Sequence, residues 1–183
     1  MILGDNIFSG SDFQTVLKQT DQNETGAVIF ASQVACPERY GVVTFDEYNN
    51  ILSIMEKPEQ AVSKWAVTGL YFFDRSVVEK AKTLNFSKRG ELEITDLNNL
   101  YLKDHELTVC CLPSGFVWLD AGVPDSLLEA AQYICSVQKR QGIVVGAPEI
   151  SAYTQGWIDK IQLERLIHAL LPSQYGRLLA GCL

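Results

Sequence analysis

The 183-residue chain is long enough for one domain with one sizeable core, and its 47% hydrophobic and 20% charged residues are those of an ordinary globular protein rather than a disordered one. A net charge of -7, with Lys139-Arg140 as the longest basic cluster, argues against a nucleic-acid surface. No apolar run approaches the ~18 residues of a membrane span, and the N-terminus has no secretory pattern, so a cytoplasmic location is expected. The cysteines (Cys36, Cys110, Cys111, Cys135 and Cys182) form no C-x-x-C pair, which predicts buried free thiols rather than a zinc or redox site.

In chain order, Met1-Ile2-Leu3 reads as the tail of a buried strand, running at once into Gly4-Asp5-Asn6. Ser11 and Gln14 have capping-box spacing before a helix whose stripe is Phe13, Val16 and Leu17. A buried strand over 26–34 comes next. Residues 41–45 and 51–55 form a predicted hairpin around the turn residues 46–50, and a further strand covers 66–73. Helical spacing returns at Val77, Val78 and Ala81, and again at Ile94, Leu97, Leu100 and Tyr101. Strands are predicted over 107–112 and 117–119. Pro124 opens a helix with a core-facing stripe of Leu127, Leu128, Ala131, Ile134 and Val137, closed by Lys139, Arg140 and Gly142. A last helix runs from about Asp159 to Leu171, before Pro172. The whole reads as an α/β fold with a mostly parallel sheet and a C-terminal helical extension. Residues 1–142 are expected to form the main domain and 143–183 the extension.

Ligands of open α/β sheets bind beyond the carboxyl ends of strands, and Asp5 and Asp120 each follow an apolar strand beside a glycine. A carboxylate pair of that kind suits Mg²⁺, which takes one or two protein carboxylates and fills its shell with water and phosphate. Taken singly, either aspartate more ordinarily caps a turn. Glu56-Lys57-Pro58, at a strand exit, places an acid for hydroxyls beside an ammonium for a phosphate; an exposed charged pair is the plainer alternative. The acids of Arg89-Gly90-Glu91-Leu92-Glu93-Ile94-Thr95-Asp96 suit a helix start, which leaves Arg89 unexplained. His105 and His168 read as a surface and a helix residue, not as catalysts.

Together with residues 37–43, 66–71 and Trp118-Leu119-Asp120, these motifs occur in the order seen in the bacterial glucose-1-phosphate thymidylyltransferases, which the chain resembles over nearly its whole length. The resemblance implies a Rossmann-like nucleotidyltransferase sheet, Mg²⁺ bound by Asp5 and Asp120, and contacts to the glucose and its phosphate from Tyr40, Gly41, Glu56, Lys57 and Val67. Arg89 would be a further phosphate contact, and Asp5, Asp120, Lys57 and Arg89 would form the catalytic set. The reaction implied is transfer of a thymidylyl group from dTTP to glucose 1-phosphate, giving dTDP-glucose and pyrophosphate, as in the dTDP-rhamnose pathway to surface polysaccharides. A homotetramer is implied as well. The tail containing residues 148–153, Gly156-Trp157-Ile158-Asp159 and Tyr175-Gly176 is similar to the family's C-terminal extension beside a regulatory nucleotide site.

The chain departs from the family where a G-x-G-T-R-L phosphate loop is expected, for no such sequence occurs in it. The sheet is therefore expected to be incomplete and the chain N-terminally truncated. Ala121 and Val123 stand where the family has threonines. A truncated or split enzyme subunit is one reading; a non-catalytic sugar-phosphate-binding or regulatory fragment that joins full-length relatives is the other. Alone, the chain is expected to bind Mg²⁺ and glucose 1-phosphate weakly and to transfer no thymidylyl group.

Overall fold

The structure, a computed structural model, describes residues 1–10, 13–21 and 25–182. They fall into two units, Met1–Val123 and Pro124–Leu183. The helix opened by Pro124 thus groups with the C-terminal residues, whereas the sequence expectation put it in the main domain.

In the first unit, strands β1 (Asn6–Ser9), β2 (Ala27–Gln33), β3 (Gly41–Phe45), β4 (Ile51–Glu56), β5 (Trp65–Phe73), β6 (Leu107–Cys111) and β7 (Val117–Asp120) alternate with helices α1 (Phe13–Thr20), α2 (Val77–Lys82) and α3 (Ile94–Lys103). Five strands form one sheet in the order β4-β3-β5-β2-β6, and β1 pairs with β7 in a separate ribbon. The expected mostly parallel sheet is not found. Only β2 and β6 run parallel, while β2–β5, β3–β5, β3–β4 and β1–β7 are antiparallel. The reason lies in which strands become neighbours: β5 runs antiparallel to β2, and the α2–α3 segment returns the chain from β5 to β6 on the other side of β2, parallel to β2 and opposite in sense to β5. Between β3 and β4 there is instead a tight turn, in which Asp46 Oδ1 accepts from the amides of Tyr48 and Asn50 and Asn49 takes φ 64°. That hairpin matches the sequence prediction.

Both faces of the sheet are covered. Ile29, Val43, Ile54, Val67 and Tyr71 pack on one side with Ile94 and Leu102 of α3; Val28, Phe30, Leu70 and Leu112 pack with Phe13, Val16 and Leu17 of α1. Double-sided burial explains why β2 and β5 read as near-continuous apolar runs, whereas edge strand β4 leaves Leu52 and Met55 exposed. Phe30 and Ile29 are fully buried, each worth roughly 1.5–3 kcal/mol of apolar transfer.

Two expectations need correcting. Residues 1–3 are not a buried strand: Met1 and Ile2 are more than half exposed, held by Tyr71 N donating to Met1 O and Leu3 N donating to Gly69 O. The cysteines are free but not buried, since Cys36, Cys111, Cys135 and Cys182 are exposed and Cys110 is half-buried. The capping box at Ser11 lies outside the described residues.

The second unit contains α4 (Pro124–Gln141), α5 (Pro148–Thr154), α6 (Lys160–Leu170) and α7 (Gln174–Ala180). Ala147, Leu163, Ile167 and Leu179 make its core, with Ile150 and Tyr175 packed around them. Asp159 and Gln162 close a reciprocal capping box that fixes the start of α6. The predicted core-facing stripe of α4 is not a buried face: Leu127 and Leu128 are 57% and 60% exposed, Ala131 is exposed, and Ile134 and Val137 are half-buried, while the buried residue of this helix, Ala130, lies outside the stripe. Periodicity identifies which residues share a helix face, not whether anything covers it. Among the described residues no helix is long and apolar enough to cross a membrane.

Candidate active site

The β1–β7 ribbon brings the two aspartates together. Asn6 lies opposite Asp120, and Ala121 N donates to Asp5 O at 2.8 Å, so Asp5 enters the ribbon at the end where Asp120 leaves it. A Cβ placed on Gly122 would lie 3.1 Å from Asp5 Oδ2 and 3.1 Å from Asp120 Oδ1, so the oxygens are separated by no more than twice that distance. Asp120 Oδ1 also accepts from Gly122 N. The rule about carboxyl ends of parallel strands is not what joins them; antiparallel pairing is.

Both aspartates line a cleft of about 180 Å³ in the first unit. Drug-sized pockets run roughly 300–1,000 Å³, so this one suits a small polar ligand. Tyr40, Gly41, Glu56, Lys57 and Val67 line the same cleft, from β3, β4, β5 and the turn before β3. Gly41 sits opposite Glu56 in register, and Lys57 N donates to Tyr40 O at 3.0 Å, which ties the two strand ends. Lys57 takes φ 41°, a left-handed conformation that a non-glycine residue adopts at some cost and that turns the chain sharply at the strand exit.

Glu56 is braced from α3: Thr95 Oγ1 donates to Glu56 Oε2 at 2.6 Å, with Thr95 itself only 3% exposed. Gly41 makes room for this bond, since a Cβ there would lie 3.1 Å from Thr95 Oγ1. The remaining carboxylate oxygen, Oε1, is 3.5 Å from Arg89 Nη1. Arg89 does not line the cleft. Its guanidinium, with the side chain 43% exposed, also meets Glu91 at 2.8 Å and Glu93 at 3.7 Å, so it is engaged by carboxylates just outside.

Sequence reasoning missed several contributors. Arg39 lines the cleft with its guanidinium 5.7 Å from the centre of the Tyr40 ring, and the Tyr40 and Trp118 rings lie 4.9 Å apart. Burial pushes the Tyr40 hydroxyl above its ordinary pKa, with Arg39 opposing and Asp120 reinforcing the rise. Burial raises Tyr71 more strongly, and Glu56 adds to it. Both phenols therefore stay protonated at neutral pH. Thr95 and Asn6 belong to quoted motifs, yet no spacing rule shows which partner a side chain will find across the fold.

Two converging hard-oxygen carboxylates fit Mg²⁺, and the glycine between them leaves the approach open where any side chain would intrude. Among the described residues there is no cluster of three or more His, Cys, Asp or Glu able to hold a metal. Such a cluster is what zinc requires and Mg²⁺ does not.

A sheet flanked by helices thus carries a carboxylate pair beside a small cleft, a candidate site for a small ligand. The family model described as nucleotidyl transferase matches residues 1–137, and the chain belongs to that family. It is 49% identical over 181 residues to the glucose-1-phosphate thymidylyltransferase of Xanthomonas campestris, covering 99% of this chain and 61% of that protein. The Neisseria meningitidis glucose-1-phosphate thymidylyltransferase is 48% identical, across 98% of this chain and 62% of its own length. A Bacillus anthracis crystal structure with sucrose, provisionally described as a glucose-1-phosphate thymidylyltransferase, superposes with a TM-score of 0.62 at 43% identity, covering 72% of this chain and 52% of that one. The chain thus spans about 61% of the length of the curated relatives it matches.

Proposed function

We propose that the cleft is the sugar-phosphate and metal half of a nucleotidyl transferase centre, and that the protein takes part in forming dTDP-glucose and pyrophosphate from dTTP and glucose 1-phosphate. The convergence of Asp5 and Asp120 on Gly122, in the cleft that also holds Glu56 and Lys57, carries the reading. In it Asp5 and Asp120 hold Mg²⁺, which when bound offsets the mutual repulsion of the phosphates. Glu56, oriented by Thr95, accepts from sugar hydroxyls; the backbone at Gly41 and the Val67 side chain border the ring; Lys57 and Arg39 offer cations to the sugar phosphate. Arg89 positions Glu56 from outside and comes to the phosphate only by leaving its carboxylate partners.

A phosphate oxygen of the sugar attacks the α-phosphorus of dTTP, forming one P–O bond as the bond to pyrophosphate breaks. The second pKa of a phosphate monoester is about 6, so the nucleophile is already ionised at neutral pH and needs no general base. This leaves positioning and charge neutralisation to the protein. A cytoplasmic homo-oligomer belongs to the same reading, and light scattering measures its assembly state.

Titration calorimetry with glucose 1-phosphate in Mg²⁺ tests the proposal. We expect binding by the 183-residue chain that is lost in Glu56→Gln and Lys57→Ala, together with no pyrophosphate release from dTTP, because G-x-G-T-R-L is absent from these residues. Undiminished binding by both variants would refute the assignment of the sugar site. The non-catalytic alternative shares the binding and differs in having no turnover even when the family's phosphate-loop segment is added in trans.

A further inference from the structure

The side chain of Asn6, at the cleft, is held by three hydrogen bonds. Its Oδ1 accepts from Gly69 N of β5 at 3.1 Å and from Trp118 Nε1 of β7, while its Nδ2 donates to Asp5 Oδ1 at 2.8 Å. The two groups that meet Oδ1 are donors only, a backbone amide and an indole N–H. They leave the amide one orientation, with its NH₂ toward Asp5. A Cβ on Gly69 would lie 2.6 Å from Asn6 Cγ and Nδ2 and 2.7 Å from Oδ1, so the clamp exists only because residue 69 has no side chain.

We infer that Asn6 is a positioning residue that sets the rotation of the Asp5 carboxylate, engaging Oδ1 so that Oδ2 faces the point beside Gly122 shared with Asp120. The inference rests on the proposed metal site and adds to it a device that the carboxylates alone do not contain. Asn6 joins three segments, the entry of β1, the middle of β5 and the indole of β7, and ties the geometry of the aspartate pair to the strand that also carries Val67. Hydrogen-bond partners that orient metal ligands typically change metal affinity by 10–100-fold when removed.

Mn²⁺, a spectroscopic substitute for Mg²⁺, is titrated into the 183-residue chain by electron paramagnetic resonance, with thermal melts of every variant. Asn6→Ala is expected to weaken Mn²⁺ binding about tenfold. Gly69→Ala, which evicts the Asn6 amide while keeping it in the sequence, should weaken it equally. The double variant should lose no more than Asn6→Ala alone, because both changes break one clamp. If Asn6→Ala does not fold, Trp118→Phe, which deletes only the indole donor, should show a smaller loss of about threefold in the same direction. Additive losses in the double variant, or a lowered melting temperature with unchanged Mn²⁺ affinity, would reduce Asn6 to a structural tether. Binding abolished by Asp120→Asn yet unaffected by Asn6→Ala overturns this inference alone. Binding indifferent to Asp120→Asn overturns the metal site and the inference with it.

Discussion

Replacing Asp74 by Asn is expected to remove a pH-dependent part of the stability. Asp74 follows β5 and gathers bonds from three segments: Oδ1 accepts from Ser76 N, Ser76 Oγ and Tyr101 OH, and Oδ2 accepts from Gly26 N at 2.8 Å. These donors, with the Ser76 side chain foremost, lower its pKa from 3.8 to about 2. A depressed carboxylate stabilises the fold above its unfolded pKa, and the contribution is lost as pH falls through the folded value. The window is therefore between about pH 4 and pH 2. At 1.36 kcal/mol per pKa unit the shift corresponds to somewhat over 2 kcal/mol, and solvent screening reduces this to roughly 1–2 kcal/mol. About half of it should already be gone at pH 3. Urea denaturation of wild type and Asp74→Asn at pH 7 and pH 3 reads this directly. The variant should be less stable by about 1–2 kcal/mol at pH 7, with the gap about halved at pH 3. An equal gap at both pH values would show that the four bonds do not favour the charged carboxylate, and the reasoning would fail.

Thr95→Val deletes the hydroxyl that braces Glu56 at nearly constant shape; a hydrogen bond to a charged group is worth about 1.5–3 kcal/mol, so glucose 1-phosphate affinity should fall about tenfold or more by calorimetry, with Thr95→Ser retaining it. Gly122→Ala introduces a Cβ 3.1 Å from oxygens of both aspartates, and should weaken Mn²⁺ binding while leaving the melting temperature within a few degrees of wild type. Lys57→Gly relieves the left-handed backbone, by ~1 kcal/mol, against a glycine entropy cost of ~0.5–1 kcal/mol. Its unfolding free energy should stay near wild type while sugar-phosphate binding is lost. Asp46→Ala removes the acceptor of two turn amides and should cost about 1 kcal/mol in urea denaturation without touching ligand binding.

Much of the architecture is legible locally. The apolar runs of β2 and β5, the turn residues between β3 and β4, and the 3.6-residue stripes of α3 and α6 encode their elements within a few residues. Sheet direction was not legible by the same means, because alternating helices and strands suggest crossovers, and the actual sense depends on which strands become neighbours. The candidate site divides in the same way. Asp5, Glu56, Lys57 and Asp120 stood out as charged residues at element ends, yet Arg89, equally conspicuous, turns toward Glu56, Glu91 and Glu93 outside the cleft. Arg39, Thr95 and Asn6, which carried no such signal, proved to be its structural partners.

By itself, the sequence determined the residue chemistry, most of the elements and the family to which they belong, since these depend on local periodicity and on motifs read along the chain; β1, α5 and α7 were not among the elements read from it. Only the tertiary structure decided how those carboxylates meet and what orients them. Asp5 and Asp120 are brought together by a ribbon between distant segments, and Asn6 holds one of them through partners on β7 and on β5. Contacts between distant segments depend on where whole elements pack, and neither spacing nor composition encodes that singly.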